Sequence, residues 1–527
     1  MKLLKHLNRR RTFKKNIIVR KPQRDRIDVL LVYPIWVKRG GRGTLQRMLP
    51  PLGILSIASY LEEHDFEVQI VDIHAEECTP KEFGDIVSNL RPRFVGITVL
   101  STHFLPANLI AEIAKRNIPD TKVIVGGVHA EAEPEQMLRN PSIDAVCRGD
   151  GEEVMLEYVR NTPNQEILGL SYRANSVVMH NGPRPQSDDL DKYPFPAYHL
   201  INFNHYFPPV ASYKDLPAMN VLMTRGCPGK CSFCNSAKTT LRGRSVEKMV
   251  ELIFMLRYTY GIRQIYFYDD TFTANPRVVK RFCDQVIDKK IDVRWICYVR
   301  GDMFKEPLAK LMSVAGCHQV LIGIESADAS IMKGIGKSIK HSRYKNVVDI
   351  AHKYNIEVRG SFIIGHRNET METMEGTLNF AKYLDLDFYQ VNILTPYPGT
   401  ILYRELKEKN LILHEKFERY GQNEVTIKLE HLTSEQVSRF ENVSIYRFFL
   451  RPKIIARQLL RLSNWHHIKD LIVATYIMLF EGLSKHKDNS TLEQWLEYDE
   501  ELNSIKMISV PKLPRLTYQV RQESIYQ

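Results

Sequence analysis

Disulfide chemistry, membrane-spanning segments and dinucleotide motifs are all missing from this sequence, and each absence narrows what the chain is. Cysteine is scarce, eight in 527 residues, too few for a disulfide scaffold in a chain without an export signal. Five of the eight (Cys78, Cys147, Cys283, Cys297, Cys317) are scattered, the pattern of buried spectator thiols; the other three fall within one short segment. The most apolar stretch, Leu471 to Phe480, is only about half the ~20 residues that a spanning helix requires, and the basic N-terminal run is not followed by an apolar secretory core. These absences predict a cytoplasmic protein. No solenoid-period repeat and no low-complexity tract interrupts it.

What is present is ordinary for a globular protein, with 44% hydrophobic and 25% charged residues, in a chain longer than one hydrophobic core usually supports. The net charge of +12 is uneven. Residues 1–26 hold eleven Lys and Arg against the single Asp25, so +10 sits in that arm and +2 in everything after it. Such an arm over 1–27 is flexible and solvated or touches an anionic membrane surface, at about 1 kcal/mol per cation near anionic lipid. Outside it nothing asks for nucleic acid.

From Asp28 onward short apolar strands alternate with amphipathic helices. VLLVYP, VQIVDI (68–73), FVGITVL (94–100), KVIVGG (122–127) and DAVCRG (144–149) read as strands of a doubly wound, Rossmann-like α/β domain over 28–165. Residues 166–217 form a linker, with a β-rich stretch from Leu170 to Asn181, a turn offered by Asn181-Gly182, and then a Pro- and aromatic-rich run. A second alternation follows: VLMTRG (221–226), QIYFYD (264–269), VRWICYV (293–299), HQVLIGIE (318–325), EVRGSFIIG (357–365) and DFYQVNILT (387–395). Six parallel strands fall short of a closed eight-stranded barrel, so 218–415 predicts a partial (β/α)6 barrel. Residues 416–527 read as a helical C-terminal cap, including a helix around Ile468–Leu483.

The chemistry is concentrated in MTRGCPGKCSFCNS, where Cys227, Cys231 and Cys234 stand in C-x3-C-x2-C spacing after the first strand of the second series. Three thiolates on one loop converge on a soft metal centre, and no fourth ligand follows at zinc-finger spacing. CPGKCSFC resembles the cysteine loop of the radical S-adenosylmethionine (SAM) superfamily, including the aromatic residue before the third cysteine, here Phe233. The resemblance implies a [4Fe-4S] cluster whose open iron chelates SAM, and an electron that cleaves SAM to a 5′-deoxyadenosyl radical. It also implies a SAM pocket at the other strand ends: Asp269 and Asp270 in place of the family's Gly-Gly-Glu wording, Arg300 for the SAM carboxylate, Gly323, Glu325 and Ser326 for ribose and methionyl groups, and Gly365 against adenine.

For residues 28–160 no G-x-G-x-x-G follows the first strand, which disfavours NAD or FAD. LPPLGILSIASYLEEHDFEVQIVDI, GITVLSTHF, IVGGVHAEAEPEQML and CRGDGEE instead resemble the N-terminal domain of cobalamin (B12)-dependent radical SAM enzymes. The resemblance places the corrin on the C-terminal edge of the sheet, near Thr98, Ser101, Gly126, Gly127, His129, Gly149, Gly151 and Glu152. His129 is the tempting axial ligand, yet a histidine at a helix start is more often a hydrogen-bonding residue. DIHAEE (72–77) departs from the D-x-H-x-x-G signature in position and in Glu77, so base-off cobalamin without a protein histidine on cobalt is expected.

A radical generator and a corrin in one chain suit methylation of an unactivated carbon of a small-molecule, lipid-like or tetrapyrrole-like substrate, with flavodoxin or ferredoxin as electron donor. Oxidative cyclisation is the alternative, because length and FFLRPKIIARQLLRL also resemble the anaerobic magnesium-protoporphyrin monomethyl ester cyclases. Outside catalysis, an iron–sulfur module that binds membrane surfaces through the basic arm is the competing reading. Methylthiotransferases are disfavoured, since residues 1–200 hold only Cys78 and Cys147.

Overall fold

A computed structural model describes residues 25–35, 48–209, 212–337 and 340–461, together with Ile468, Trp495, Glu497 and Tyr498. The basic arm up to residue 24 and almost all of the helix expected at 468–483 lie outside the described residues.

The first sheet takes the predicted strands in doubly wound order. β1 (Val29–Tyr33), β2 (Val68–Asp72), β3 (Phe94–Thr98), β4 (Lys122–Gly126) and β5 (Ala145–Cys147) run parallel, arranged β2-β1-β3-β4-β5. Their near-continuous apolarity follows from cover on both faces. Helices Leu52–Glu63 and Gly151–Val159 pack with Leu31, Ile70 and Ile124 on one side, and helices Pro80–Leu90 and Phe104–Asn117 pack with Leu30, Val95 and Ile97 on the other.

The β-rich stretch of the linker joins this sheet. β6 (Leu170–Ala174) and β7 (Val177–His180) add antiparallel to β5 as a hairpin. Its turn is at Asn175 and Ser176, which take left-handed φ of 47° and 66°, and not at Asn181-Gly182. Asn181 is used otherwise, its Nδ2 donating to the carbonyls of Asn164 and Ile167 at 2.6 and 2.7 Å.

The second sheet contains six parallel strands in chain order: β8 (Ala218–Val221), β11 (Gln264–Phe267), β12 (Arg294–Val299), β13 (Cys317–Glu325), β14 (Glu357–Ile364) and β15 (Phe388–Ile393). The first of them ends at Val221, short of the predicted 226. Beyond it β9 (Thr224–Arg225) and β10 (Arg242–Gly243) pair antiparallel, forming a clasp at the base of the cysteine loop. The sheet is open, with β8 and β15 at its edges. One of its faces is held by an aromatic cluster of Phe267, Phe272, Phe282 and Trp295, the indole Nε1 donating to the carbonyl of Ala315 at 2.7 Å.

Of the C-terminal region, helix Ser434–Phe449 packs on β15, with Phe448 stacked on Tyr389 at 5.1 Å, and the short turn Phe417–Arg419 reaches back to the first domain. No helix among the described residues is long and apolar enough to cross a membrane. Trp295→Ala is expected to cost about 3–5 kcal/mol of stability, read as a lowered urea midpoint; a midpoint within error of the parent contradicts the assignment of Trp295 as the centre of that core.

Candidate active site

The cysteine loop starts from a clamp. Asp269, at the end of β11, is fully buried and accepts from the backbone N–H of Met223 (3.1 Å) and of Thr224 (2.6 Å) and from the Thr224 hydroxyl (2.6 Å). Burial pushes its carboxyl up to about 6 against those hydrogen bonds. Asp269 therefore does not face a cofactor pocket; both oxygens are spent on fixing where the chain leaves β8. At Gly226 φ is 94°, and a Cβ would lie 2.1 Å from the carbonyl oxygen of Thr240, so only glycine fits. The loop then closes on itself through Cys227 N to Thr239 Oγ1 (2.9 Å), Thr239 N to the Cys227 carbonyl (3.1 Å) and Lys238 N to the Gly229 carbonyl (2.7 Å).

Cys227, Cys231 and Cys234 are half-buried and unpaired. Phe233 anchors the loop by packing into an apolar cluster with Leu394, Leu406 and Ile427. Burial pushes the Cys231 thiol up and the Cys234 thiol up to about 11, so these thiols hold their protons until a metal displaces them. Among the described residues no trio of Cys, His, Asp or Glu is already drawn together around a metal position.

The other strand-end residues divide. Arg300 lies beside the loop: a Cβ on Gly229 would sit 3.6 Å from its Nη1, and two 3.1 Å hydrogen bonds to Asp302 hold the guanidinium. Asp270 is exposed near Ser236, and burial raises its carboxyl while the Ser236 hydrogen bond lowers it. Glu325, at φ 69°, pairs with Lys337 Nζ at 2.6 Å, and Lys337 also donates to the Gly323 carbonyl at 2.8 Å. Ser326 is placed differently from expectation. It is fully buried, within 3.3 Å of the Thr377 hydroxyl and accepting from Asp328 N, so it fixes the turn behind the sheet. Gly365 likewise turns toward Ile393 and Val437, each 3.3 Å from where its Cβ would be, away from the mouth.

Two residues near the mouth escaped the sequence reading. Glu369 is fully buried and accepts from Gly365 N (2.5 Å) and His366 N (3.0 Å), shaping the end of β14; a carboxylate four residues after a strand-end glycine was the only signal. Tyr344 is also fully buried, its hydroxyl without a hydrogen-bond partner among the described residues, near Glu325, Cys231 and Asp302. Nothing in the helix pattern of His341–Lys353 marks it.

Between the C-terminal edges of the two sheets lies a cavity of about 310 Å³. Thr98, Gly126, Gly127, Gly149, Gly151 and Glu152 line it from the first domain, and Leu222, Arg225, Arg244 and Leu252 from the second. Gly96 on β3 also lines it, and a Cβ there would lie 2.7 Å from the Leu31 side chain, so glycine lets Leu31 pack beneath the cavity. Ser101 and His129 lie off this cavity, contrary to expectation. His129 is fully buried between the rings of Phe104 (5.3 Å) and Phe417 (4.7 Å), with Nδ1 3.2 Å from the Ser101 hydroxyl and Nε2 without a partner among the described residues. Burial pulls its pKa down to about 4, so it is neutral and serves packing.

Glu152 touches the cavity but is committed to the second domain. It is 2% exposed, accepts from Ser56 Oγ at 2.7 Å, and pairs with Arg225 at 2.5 Å. Asp150 pairs with Arg225 (3.4 Å) and with Arg242 (2.5 Å), so two arginines of the β9–β10 clasp are tied to the loop after β5. The sequence reading missed both arginines; the faint signal was an arginine two residues before the first cysteine of the loop.

Two sheets whose parallel strands turn their C-terminal ends to one cavity, with a three-thiol loop on one and glycines on the other, define an enzyme that holds a soft metal centre against a large organic cofactor. The B12 binding domain family matches residues 39–159 and the Radical SAM superfamily matches 221–381. The chain is 38% identical over 421 residues to the uncharacterized methyltransferase PH0819 of Pyrococcus horikoshii, covering 78% of this chain and 90% of that protein. It is 27% identical to the anaerobic magnesium-protoporphyrin IX monomethyl ester cyclase of Rubrivivax gelatinosus, over 75% of this chain and 72% of the cyclase. It shares the fold of the radical SAM methyltransferase TsrM from Kitasatospora setae, with a TM-score of 0.64 and 16% identity over 92% of this chain and 99% of TsrM.

The chain belongs to the cobalamin-dependent radical SAM enzymes. Its cofactors are a [4Fe-4S] cluster, SAM and cobalamin. The residues present fit them: three sulfur donors leave one corner of a cubane open, and a largely apolar cavity edged by glycines admits a bulky ring system to the backbone.

The buried histidine carries a pH consequence. Its folded pKa of about 4 lies below the unfolded value of about 6.5, so as pH falls through 6.5 the unfolded chain binds a proton that the folded chain refuses, and stability drops. Between pH 7 and pH 5 this loss is about 2 kcal/mol. His129→Leu is expected to shrink the drop in urea midpoint over that range; an unchanged drop contradicts a neutral, buried His129.

Proposed function

We propose that this enzyme methylates an unactivated carbon of a small-molecule substrate held between the cysteine loop and the cavity. When bound, the cluster and SAM supply a carbon-centred radical and cobalamin supplies the methyl group. Cys227, Cys231 and Cys234 hold the cluster. Arg300, pinned by Asp302, presents a planar cation suited to a SAM carboxylate. Lys337 neutralises Glu325 and orders the end of β13 on the opposite side of the mouth. Thr98, Gly126, Gly127, Gly149 and Gly151 take the cobalamin. Asp150 and Glu152, gripping Arg225 and Arg242, keep the two edges facing so that substrate is enclosed and water kept out.

The observation that carries this reading is that bridge: it ties the cavity loop to the strand that launches the cysteines. The 38% identity to a methyltransferase supports methyl transfer over other outcomes. The electron comes from a low-potential carrier such as flavodoxin or ferredoxin, in a reducing cytoplasm where eight free cysteines persist. Oxidative cyclisation remains the second reading, supported by the likeness to the Rubrivivax gelatinosus cyclase.

Anaerobically reconstituted enzyme incubated with methyl-labelled SAM, cobalamin, reductant and a small-molecule extract of its source cells tests the choice. Label is expected in a new small molecule, with 5′-deoxyadenosine released alongside. Release of 5′-deoxyadenosine and a new product without label contradicts methyl transfer and selects cyclisation.

A further inference from the structure

Two stretches of the second domain carry cations and no acid. Residues 226–246, the cysteine loop and its clasp, hold Lys230, Lys238, Arg242 and Arg244 without an Asp or Glu, and residues 329–348 hold Lys333, Lys337, Lys340, Arg343 and Lys345, again without one. The chain beyond residue 26 has a net charge of only +2, so its remainder is net acidic and this concentration is local. The fold brings the two stretches together. Ser232 N donates to the Ile335 carbonyl at 3.0 Å, and a Cβ on Gly336 would lie 2.6 Å from the Lys230 carbonyl, so the turn after helix Ala329–Gly334 lies against the cysteine-loop backbone. Lys238 N donates to the Gly229 carbonyl of the same loop at 2.7 Å. Arg343 is within electrostatic reach of Asp302, which holds Arg300 beside Gly229.

Four of these cations are committed within the fold: Arg242 to Asp150, Arg244 to the carbonyls of Tyr193 and Pro194, Lys337 to Glu325 and Lys345 to Asp349. The other five, Lys230, Lys238, Lys333, Lys340 and Arg343, are exposed and form no ion pair among the described residues. Carboxylates bordering them are already engaged, Asp302 with Arg300, and Asp328 accepting from Ser330 N and Ile331 N at 2.9 Å each. On the other flank, helix Ile401–Glu408 donates Leu402 N to the Ser232 carbonyl at 2.9 Å; its Arg404 and Lys407 are balanced by Glu405 and Glu408. The positive face is thus confined to the loop and the turn packed on it. Like charges held together on a surface repel, and the fold gains nothing from them; a partner of opposite sign does.

We propose that Lys230, Lys238, Lys333, Lys340 and Arg343 form the docking surface for an acidic, low-potential electron-carrier protein, which delivers its electron to the cluster from the outer side of the cysteine loop. The proposal rests on the radical SAM reading of that loop. The cavity side is given to cofactors and substrate and kept from water, so a protein donor approaches from the other. Each encounter oxidises the carrier by one electron and reduces the cluster by one. The carrier must then leave, which suits a small contact steered by charge. Electron-transfer encounters bury less than about 1,200 Å², and complementary charge raises the association rate more than the residence time. The cations gather round the one loop that carries the thiols, where an electron is needed and a nucleic-acid strand is not.

Association of oxidised flavodoxin with the reconstituted enzyme, followed by surface plasmon resonance, tests docking without turnover. The parent is expected to bind and to lose about ten-fold in association rate as salt rises from about 50 to about 300 mM. Lys333→Glu combined with Arg343→Glu, neither beside a cysteine, should slow association about ten-fold at low salt and flatten the salt dependence. Lys289→Glu combined with Lys310→Glu, exposed elsewhere on the second domain, should leave both as they are. In turnover, the Lys333→Glu/Arg343→Glu enzyme should release 5′-deoxyadenosine slowly with limiting reduced flavodoxin and at the parent's rate with dithionite, which also shows that its cluster is loaded. Unchanged flavodoxin association in that variant, equal losses with flavodoxin and dithionite, or tighter binding of the parent to an RNA oligonucleotide than to flavodoxin overturns the proposal. Absence of 5′-deoxyadenosine from the parent with dithionite instead removes the radical reading itself, so the two failures are told apart.

Discussion

Asp150 stands at the N-cap, and Glu152 in the first turn, of the helix that follows the last parallel strand of the first sheet, and Arg225 and Arg242 lie on the clasp that opens the cysteine loop of the second. Their ion pairs set how the two sheets meet. A buried pair of this kind adds little net stability over an apolar contact of the same shape, but removing one partner strands a charge at a cost of about 3–5 kcal/mol. Such an arrangement therefore selects one relative placement of the domains. Because Arg225 stands two residues before Cys227, that placement also orients the loop carrying the thiols.

Parallel sheets gather functional groups at the carboxyl ends of their strands, since that is where the loops with free geometry emerge. Here two such edges are turned toward one another. The first contributes little side chain, with glycines at 126, 127, 149 and 151, and leaves space. The second contributes thiols, Arg300 and the Glu325–Lys337 pair. The C-terminal region binds the halves together again: helix Ser434–Phe449 covers β15, and Phe417 inserts its ring beside Phe104 and His129 of the first domain. The two halves are thus held across the gap both by the ion pairs and by this aromatic contact.

The architecture was legible because buried parallel strands are apolar on both faces and leave an unmistakable run of residues, as in VLLVY and VQIVD. The cysteine loop was legible because spacing alone carries the chemistry. Residues at strand ends were harder. Position in sequence shows that Asp269, Ser326 and Gly365 stand near the mouth but not that Asp269 folds back on Met223 and Thr224, that Ser326 turns to Thr377, or that Gly365 faces Val437. A rotation by one residue reverses the face, and composition does not encode it. His129 was misplaced for a related reason, since Phe417, nearly three hundred residues away, covers it. Arg225 and Glu152 became meaningful only as a pair across domains, a contact that no local pattern announces.

The central claim is that Cys227, Cys231 and Cys234 bind a four-iron cluster that cleaves SAM across the gap from cobalamin. It is tested most directly by iron and sulfide analysis of protein purified without oxygen, beside the triple Cys→Ala variant. The account predicts about four iron and four sulfide per chain in the parent, none in the variant, and 5′-deoxyadenosine only from the parent on reduction with SAM. Zinc or no metal in the parent, or iron and sulfide retained by the variant, would contradict it.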